Sequence, residues 1–431
     1  MSAVLLLSNG HGEDLSAAAL GTALLRHGLR VEALPLVGQG QAYRRAGIPV
    51  LGSTRDFSTG GLGYTSLAAR ITDLLEGQFG YVLRLLVRLR QQRRRFALVV
   101  AVGDVVPLLG AWLSGRDSVV YLVAYSSHYE GRLRLPWPCG WLLRRPRLQA
   151  IWSRDALTAA DLSAQLGRPV RFLGNPFLDA LLAAAAAQTP RAERRSGASP
   201  GSGQGVAVLP GSRLPEALGN LALLLQVLQR LPDVAPGQAP QLRAALVAAL
   251  QPQAVAAVAA PLGWHLQPSA AGSARPDAAG RRLRLVRGAL QLELHWGDFE
   301  AVLSGSDLVL AMSGTASEQA VALGLPVLQV AGPGPQFTAG FAEAQRRLLG
   351  AGVVCSEGPV GDPATLSATA RLLAAMLRRL ADPQEGPRWQ RELATIAAER
   401  LGGAGGSTRM AAAIMDRIQA SAAATPSTAP P

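Results

Sequence analysis

The 431-residue chain contains no lysine: all 42 of its basic residues are arginine. That absence excludes a Walker A loop, whose lysine reaches the phosphates, and any enzyme that builds a Schiff base on its own lysine. Cysteine is nearly missing as well. Cys139 and Cys355 lie far apart, so neither a disulfide scaffold nor a zinc ribbon is available. Five histidines (His11, His27, His128, His265 and His295) show no metal-ligand spacing, and no metal is expected. Aromatic residues make up only 5% of the chain and no nucleic-acid fold signature occurs, so no nucleic-acid partner is expected. Long hydrophobic runs are absent too. The longest, 97–113, is interrupted by Gly103, Asp104 and Pro107 and falls short of the ~20 residues that span a bilayer. The N-terminus has no basic start and only a short apolar run, which reads as a buried strand rather than a signal peptide. A cytoplasmic protein is expected.

What is present points to globular domains. Hydrophobic residues reach 49%, too many for a mainly disordered chain, and the length fits two or three domains at about 150 residues each. The net charge of +13 and a sequence pI near 11.1 suit a polyanionic neighbour: nucleic acid, an anionic membrane surface or phosphorylated substrates. Biased codon usage would raise arginine equally well.

Strand-like runs at 4–7, 30–35, 98–102, 119–123 and 150–153 alternate with helical patterns, beginning with a helix over 15–27. This rhythm predicts a doubly wound parallel sheet. Residues 188–205 are rich in Pro, Gly, Ser and Arg and read as a linker. A G-x-S-x-G match at 197–201 lies inside it, without the strand and helix a nucleophile elbow needs. The rhythm then restarts, with strands at 206–209, 283–286, 308–311 and 326–330 and helices at 215–231, 299–304 and 316–323. The predicted organisation is α/β: a Rossmann-like domain over 1–187, the linker, a second Rossmann-like domain over 206–386, C-terminal helices over 387–419 and a disordered tail over 420–431.

In open parallel sheets, ligands bind at the carboxyl ends of strands, where helix N-termini offer unpaired N–H groups. Four candidates fall there. Asn9, Gly10, His11, Gly12, Glu13 and Asp14 combine backbone access with an imidazole and two carboxylates, although Asp14 would also serve as a helix cap. Gly211, Ser212 and Arg213 form a turn that suits a diphosphate, and Glu216 would reach a sugar hydroxyl or complement the helix dipole. Ser313, Gly314 and Thr315 open a helix with small residues, and Glu318 and Gln319 follow as hydroxyl acceptors. Asp104 ends an apolar strand, where a partly desolvated carboxylate would serve as general base or cap the next helix. No G-x-G-x-x-G follows the first strand, so a redox dinucleotide cofactor is not expected.

Two stretches suit a lipid surface. Residues 79–95 alternate apolar side chains with arginines at helical spacing, as in a helix lying on an anionic membrane or a core helix with a solvated face. Residues 132–147 place Trp137 and Trp141 among arginines, a bilayer-interface composition that would also stack single-stranded bases.

These loops coincide with a family. The chain resembles lipid-A-disaccharide synthase, and more closely the lipid-A-disaccharide synthase-related proteins of cyanobacteria and some other bacteria, over nearly its whole length to about residue 415. The resemblance is carried by SNGHGEDL (8–15), VGDVVPL (102–108), SRD with LTA (153–159), GNP (174–176), LPGSRLPE (209–216), SGTASEQ (313–319), and GPGPQFT with FAEAQ (332–345). It implies a metal-independent GT-B hexosyltransferase with two Rossmann-like domains facing a cleft. It further implies a UDP-sugar donor, N-acetylglucosamine or a related hexose, on the C-terminal domain, and no cofactor. Arg213 and Glu216 match the family's donor-site arginine and glutamate, and Gln336 falls in a further matching segment. Asp104 matches the family's proposed base. The synthase's first loop usually reads G-E-x-S-G-D, whereas this one reads Gly10-His11-Gly12-Glu13-Asp14, which admits His11 as an alternative base. A lipid-linked acceptor and peripheral contact with the inner membrane face through 79–95 and 132–147 complete the expectation. The rivals are a UDP-sugar epimerase or hydrolase of the same fold and a non-catalytic membrane-surface binding protein.

Overall fold

A computed structural model describes residues 3–51, 87, 89–187, 204–232, 239–269, 283–334 and 337–423. It divides into two compact units, Met1–Ala180 with Leu401–Pro431, and Leu181–Arg400. Residues 188–203 of the linker expected over 188–205, residues 79–86 and 88 of the stretch 79–95, and Gln336 lie outside the described residues.

In the first unit the strands are β1 (Ala3–Ser8), β2 (Val31–Pro35), β3 (Phe96–Val102), β4 (Ser118–Leu122), β5 (Leu148–Ser153) and β6 (Val170–Phe172). They form a parallel sheet in the order β2-β1-β3-β4-β5-β6. All six residues of β1 are buried, because helices cover both faces and the run need not alternate. Leu5, Leu7, Val99 and Ala101 pack on one face, and Val4, Leu6, Leu98 and Val100 on the other. The strand order reverses between β1 and β3. Such a switch point opens a crevice at the carboxyl ends of the two strands, where Asn9 and Asp104 follow directly.

The helix expected over 15–27 starts earlier. Helix α1 runs from His11 to Arg26, so His11, Gly12, Glu13 and Asp14 are its first turn rather than a loop. Gly10 makes the turn in an extended conformation at φ 144°, open to glycine and strained for other residues. Helices α2 (Val105–Ser114) and α3 (Ala156–Leu166) follow β3 and β5, capped by Asp104 and Asp155.

The second unit is a mixed sheet in the order β14-β13-β12-β7-β8-β11-β10-β9. Its strands are β7 (Gly205–Leu209), β8 (Gln241–Leu246), β9 (His265–Pro268), β10 (Leu283–Arg287), β11 (Leu290–Trp296), β12 (Leu308–Ala311), β13 (Val327–Gln329) and β14 (Val353–Cys355). Within it β10 runs antiparallel to both β9 and β11, while the remaining pairs are parallel. The two residues between β10 and β11, Asn-free but containing Gly288 at φ 56°, turn the chain back too tightly for a crossover helix. The switch point here lies between β7 and β12, followed by helices α4 (Glu216–Leu228) and α5 (Thr315–Ala322). Helix α6 (Ala339–Leu349) follows β13.

The chain end returns to the first unit. Helix α7 (Gly406–Ala423) extends past residue 420, where the tail is expected, and buries Met410, Ala411 and Ile414 against Val4, Leu6 and Trp152. The carboxylate of Asp179 accepts from the backbone N–H of Gly405 and Gly406, at 2.8 and 2.9 Å, and from the N–H and hydroxyl of Ser407. Asn175, the centre of the GNP motif, accepts from the Tyr121 hydroxyl and donates to the carbonyls of Arg154 and Leu401. That motif therefore ties strand ends to the returning segment.

Candidate functional site

At the first switch point the buried side chains form two linked groups. The amide of Asn9 donates to both carboxylate oxygens of Asp104, at 3.2 and 3.1 Å. Asp104 also accepts from the backbone N–H of Val106 at 2.8 Å, so it caps α2 as well as facing the crevice. Tyr125 lies beside it and accepts from the N–H of Val105. Burial, then the Cys139 and Asp104 charges, pushes the Tyr125 phenol up, and burial with Asp104 pushes the Cys139 thiol up to about 12.

The second group is Asp14, Ser8 and Tyr43. The Ser8 hydroxyl donates to Asp14 at 2.5 Å and lies 2.5 Å from the Tyr43 hydroxyl. Asp14 does not cap α1; Gly10 holds the cap position with no side-chain bond. Burial pushes the Asp14 carboxyl from 3.8 to about 7, against the pull of the Ser8 hydrogen bond.

Glu13 stands between the groups. Its side chain passes Gly10 and Gly103: a Cβ at Gly10 would meet its carboxylate at 2.6 Å, and one at Gly103 its Cγ at 3.2 Å. Burial chiefly, with the Asp104 and Asp14 charges adding, pushes the Glu13 carboxyl from 4.5 to about 7, while Arg154 pulls it down. Glu13 is partly exposed, whereas Asp14 is buried. A carboxyl that titrates near neutral pH at a crevice is suited to exchange a proton with a ligand. The backbone of His11 lies in the first turn of α1, beside this group.

Folding holds both carboxyls protonated to about pH 7, although they ionise near 4 when unfolded. The folded state therefore binds more protons. Stability is full below about pH 4 and falls as pH rises toward 7, by at most ~1.4 kcal/mol per pH unit for each group. Asp14→Asn, neutral throughout, should flatten this fall in urea midpoints measured between pH 5 and 8. A slope equal to that of the parent chain would show that Asp14 ionises normally in the fold.

In the second unit three loops meet at the carboxyl ends of adjacent strands β7, β12 and β13. Gly211, at φ 97°, has the Met312 carbonyl 3.1 Å from where its Cβ would lie, so only glycine lets the first two loops touch. Gly332 packs against Met312 and Asn220, and Gly334 against the Glu216 carboxylate. Asn220 donates to the Pro210 carbonyl at 3.0 Å and holds the first loop down. Ser317 and Gln329 both donate to the carbonyl of Ser313, fixing the second. Helices α4 and α5 both begin without a side-chain cap, at Pro215 and Gly314; in α4 the N–H groups of Ala217 and Leu218 go to the carbonyls of Arg213 and Pro215, so the start of α5 is the one that offers its first turn to an anion. Around them Ser212 and Thr315 are exposed, Arg213, Gly314 and Gln319 half-buried, and Ser313 and Glu318 buried.

The structure thus gathers Asn9, Gly10, Glu13, Asp14 and Asp104 at one switch point. It gathers Gly211, Ser212, Arg213, Glu216, Ser313, Gly314, Thr315, Glu318 and Gln319 at the other. Sequence reading missed Tyr43 and Tyr125 in the first and Asn220 and Gln329 in the second, while Ser8 and Arg154 stand in the motifs at 8–15 and 153–159 with no role given to them. Asn220 does carry a signal, being a polar residue on the apolar face of α4. Among the described residues no group of three or more His, Cys, Asp and Glu could hold a metal ion, and no helix is long and apolar enough to cross a membrane.

A scan of protein-family models and a search of curated proteins gave no match. Among solved structures, the chain is similar to a Listeria monocytogenes protein described as a UDP-N-acetylglucosamine 2-epimerase, with 14% identity, TM-score 0.54 and coverage of 97% of this chain and 98% of that one. It is similar to MurG of Acinetobacter baumannii at 15% identity and TM-score 0.55, over 96% of this chain and 100% of that one. A third likeness is to MnaA of S. aureus, solved with UDP, at 14% identity and TM-score 0.55 over 97% of each chain. The shared feature is the fold: two Rossmann-like α/β units of the GT-B class.

Proposed function

We propose that the chain is a glycosyltransferase that takes a hexose, N-acetylglucosamine or a close relative, from a UDP-sugar to a lipid-linked acceptor at the inner face of a membrane. In this it would act as the lipid-A-disaccharide synthase-related proteins do. The observation that carries the reading is the convergence on β7, β12 and β13 of glycine-lined loops with the open N-terminus of α5 and Arg213. Backbone N–H groups and a guanidinium fork suit a diphosphate better than any other common ligand group. In the proposed reaction, Glu13, Asp104 or His11 removes the proton of an acceptor hydroxyl. The hydroxyl oxygen bonds to the anomeric carbon, the bond from that carbon to the diphosphate breaks, and UDP leaves with the electron pair. Arg213 and the N-terminus of α5 stabilise the charge that develops on the diphosphate.

A second reading, a UDP-sugar 2-epimerase, is favoured by the Listeria likeness and by the titratable Glu13, which would serve proton transfer on the sugar itself. Turnover of donor with no acceptor present would select it. The test of the shared premise is calorimetric titration with UDP, UDP-N-acetylglucosamine and UDP-glucose. One UDP-sugar should bind, and Arg213→Ala should weaken it by about 10- to 100-fold, the loss of a charge-assisted bond. Donor affinity unchanged by Arg213→Ala would remove that residue from the site.

A further inference from the structure

The amino edge of the first unit's sheet, opposite Asp104, carries a second site. A cavity of about 270 Å³ opens there between the last turn of α2 and the starts of β4 and β5, lined by Leu108, Trp112, Leu142, Leu148, Arg145 and Arg147. Its size is near the lower end for pockets that take small ligands, and its wall is mostly apolar. Trp112, 42% exposed, lines it and pairs edge-to-face with Trp141, 44% exposed, with centroids 5.4 Å apart.

Beside this pair stands a concentration of charge. The Nη1 atoms of Arg93, Arg147 and Arg90 lie 3.0, 3.4 and 3.9 Å from the point a Cβ would occupy at Gly115, the C-cap of α2. Arg147 and Arg90 each donate one bond to the end of α2, to the carbonyls of Gly115 and Leu113. Capping explains those two bonds. It does not explain three guanidiniums together, since no carboxylate pairs with any of them among the described residues. Each has five N–H donors, so most remain for a ligand.

We propose that this edge binds an anionic lipid of a bilayer, with its phosphate on Arg90, Arg93 and Arg147 and the upper part of a chain in the cavity below Trp112 and Trp141. Indole rings at the head-group level and arginines against phosphate are the chemistry of a membrane interface. A single-stranded nucleic acid fits less well. The Trp141 face is covered by the Arg145 guanidinium, 3.6 Å from the ring centroid, and Trp112 meets Trp141 edge-on, so this pair offers no open stacking platform, and Trp137 alone stands exposed. The site anchors the chain rather than presenting an acceptor, because its arginines at Gly115 lie the length of α2, roughly 16 Å, from Asp104. It is independent of the transferase reading, and a chain without UDP affinity would bind lipid equally.

Sedimentation of the full chain with phosphatidylglycerol and phosphatidylcholine vesicles tests it. Binding to the anionic vesicles alone is expected, weakened about 100-fold in the triple variant Arg90→Gln, Arg93→Gln, Arg147→Gln. In a Trp137→Phe background, which removes the exposed neighbour, vesicles with bromine on the upper acyl chain should quench tryptophan emission, and Trp112→Phe with Trp141→Phe should remove most of that quenching without altering the fold. Equal binding to both vesicle types, or binding and quenching unchanged by these variants, would overturn the proposal. So would an oligonucleotide that binds through the same arginines more tightly than the vesicles do.

Discussion

Glu13→Gln should lower turnover by roughly 10²- to 10⁴-fold, the usual worth of a positioned proton acceptor. It should also erase the acid limb of the pH–rate profile. A base must be ionised to act, so the parent chain is expected to gain activity as pH rises through about 7, where burial places the Glu13 carboxyl. Asp104 is the competitor. Its oxygens are already engaged by the Asn9 amide and the Val106 N–H, which suits a fixed charge that tunes and orients its neighbour. Asp104→Asn should therefore slow the reaction but keep a limb, moved to lower pH because the carboxylate that raises Glu13 is gone. A limb that survives in Glu13→Gln and vanishes in Asp104→Asn would reverse the two roles.

Asp179→Ala should cost the first unit roughly 2–4 kcal/mol, read as a fall in urea midpoint. The carboxylate accepts three backbone N–H groups and a hydroxyl at the start of α7, so its loss leaves a helix N-terminus without acceptors. Asp179→Asn keeps one acceptor oxygen and should recover part of the loss. No change in midpoint would mean that water replaces the carboxylate fully.

Most of this framework is legible before any coordinates. Buried strands of parallel sheets announce themselves as apolar runs, so β1, β3, β7 and β12 fall where their side chains place them. Two others do not. The edge strand β9 (His265–Pro268) and the interior strand β8 (Gln241–Leu246) carry exposed polar residues, and β9 exists because β10 offers it hydrogen bonds rather than because its own sequence demands a strand. The loops of the candidate site are legible by their glycines. Their supports are not: Tyr43 reaches Ser8 across 35 residues, and Asn9 reaches Asp104 across 95. Nothing in local spacing links residues so far apart. The start of α1 was hidden for a different reason, since Gly10, His11 and Gly12 are poor helix formers and the helix begins there only because the sheet edge directs it.

The return of α7 to the first unit has a consequence for how the chain is made. Residues 401–423 complete a core begun by residues 3–7, so the first unit cannot close until everything between has left the ribosome. The second unit is contiguous in sequence and free to fold as soon as it emerges. During synthesis the face of Val4, Leu6 and Trp152 that α7 covers must wait uncovered, an apolar surface open to chaperones or to other nascent chains. A chain cut at residue 400 would keep that face exposed for good.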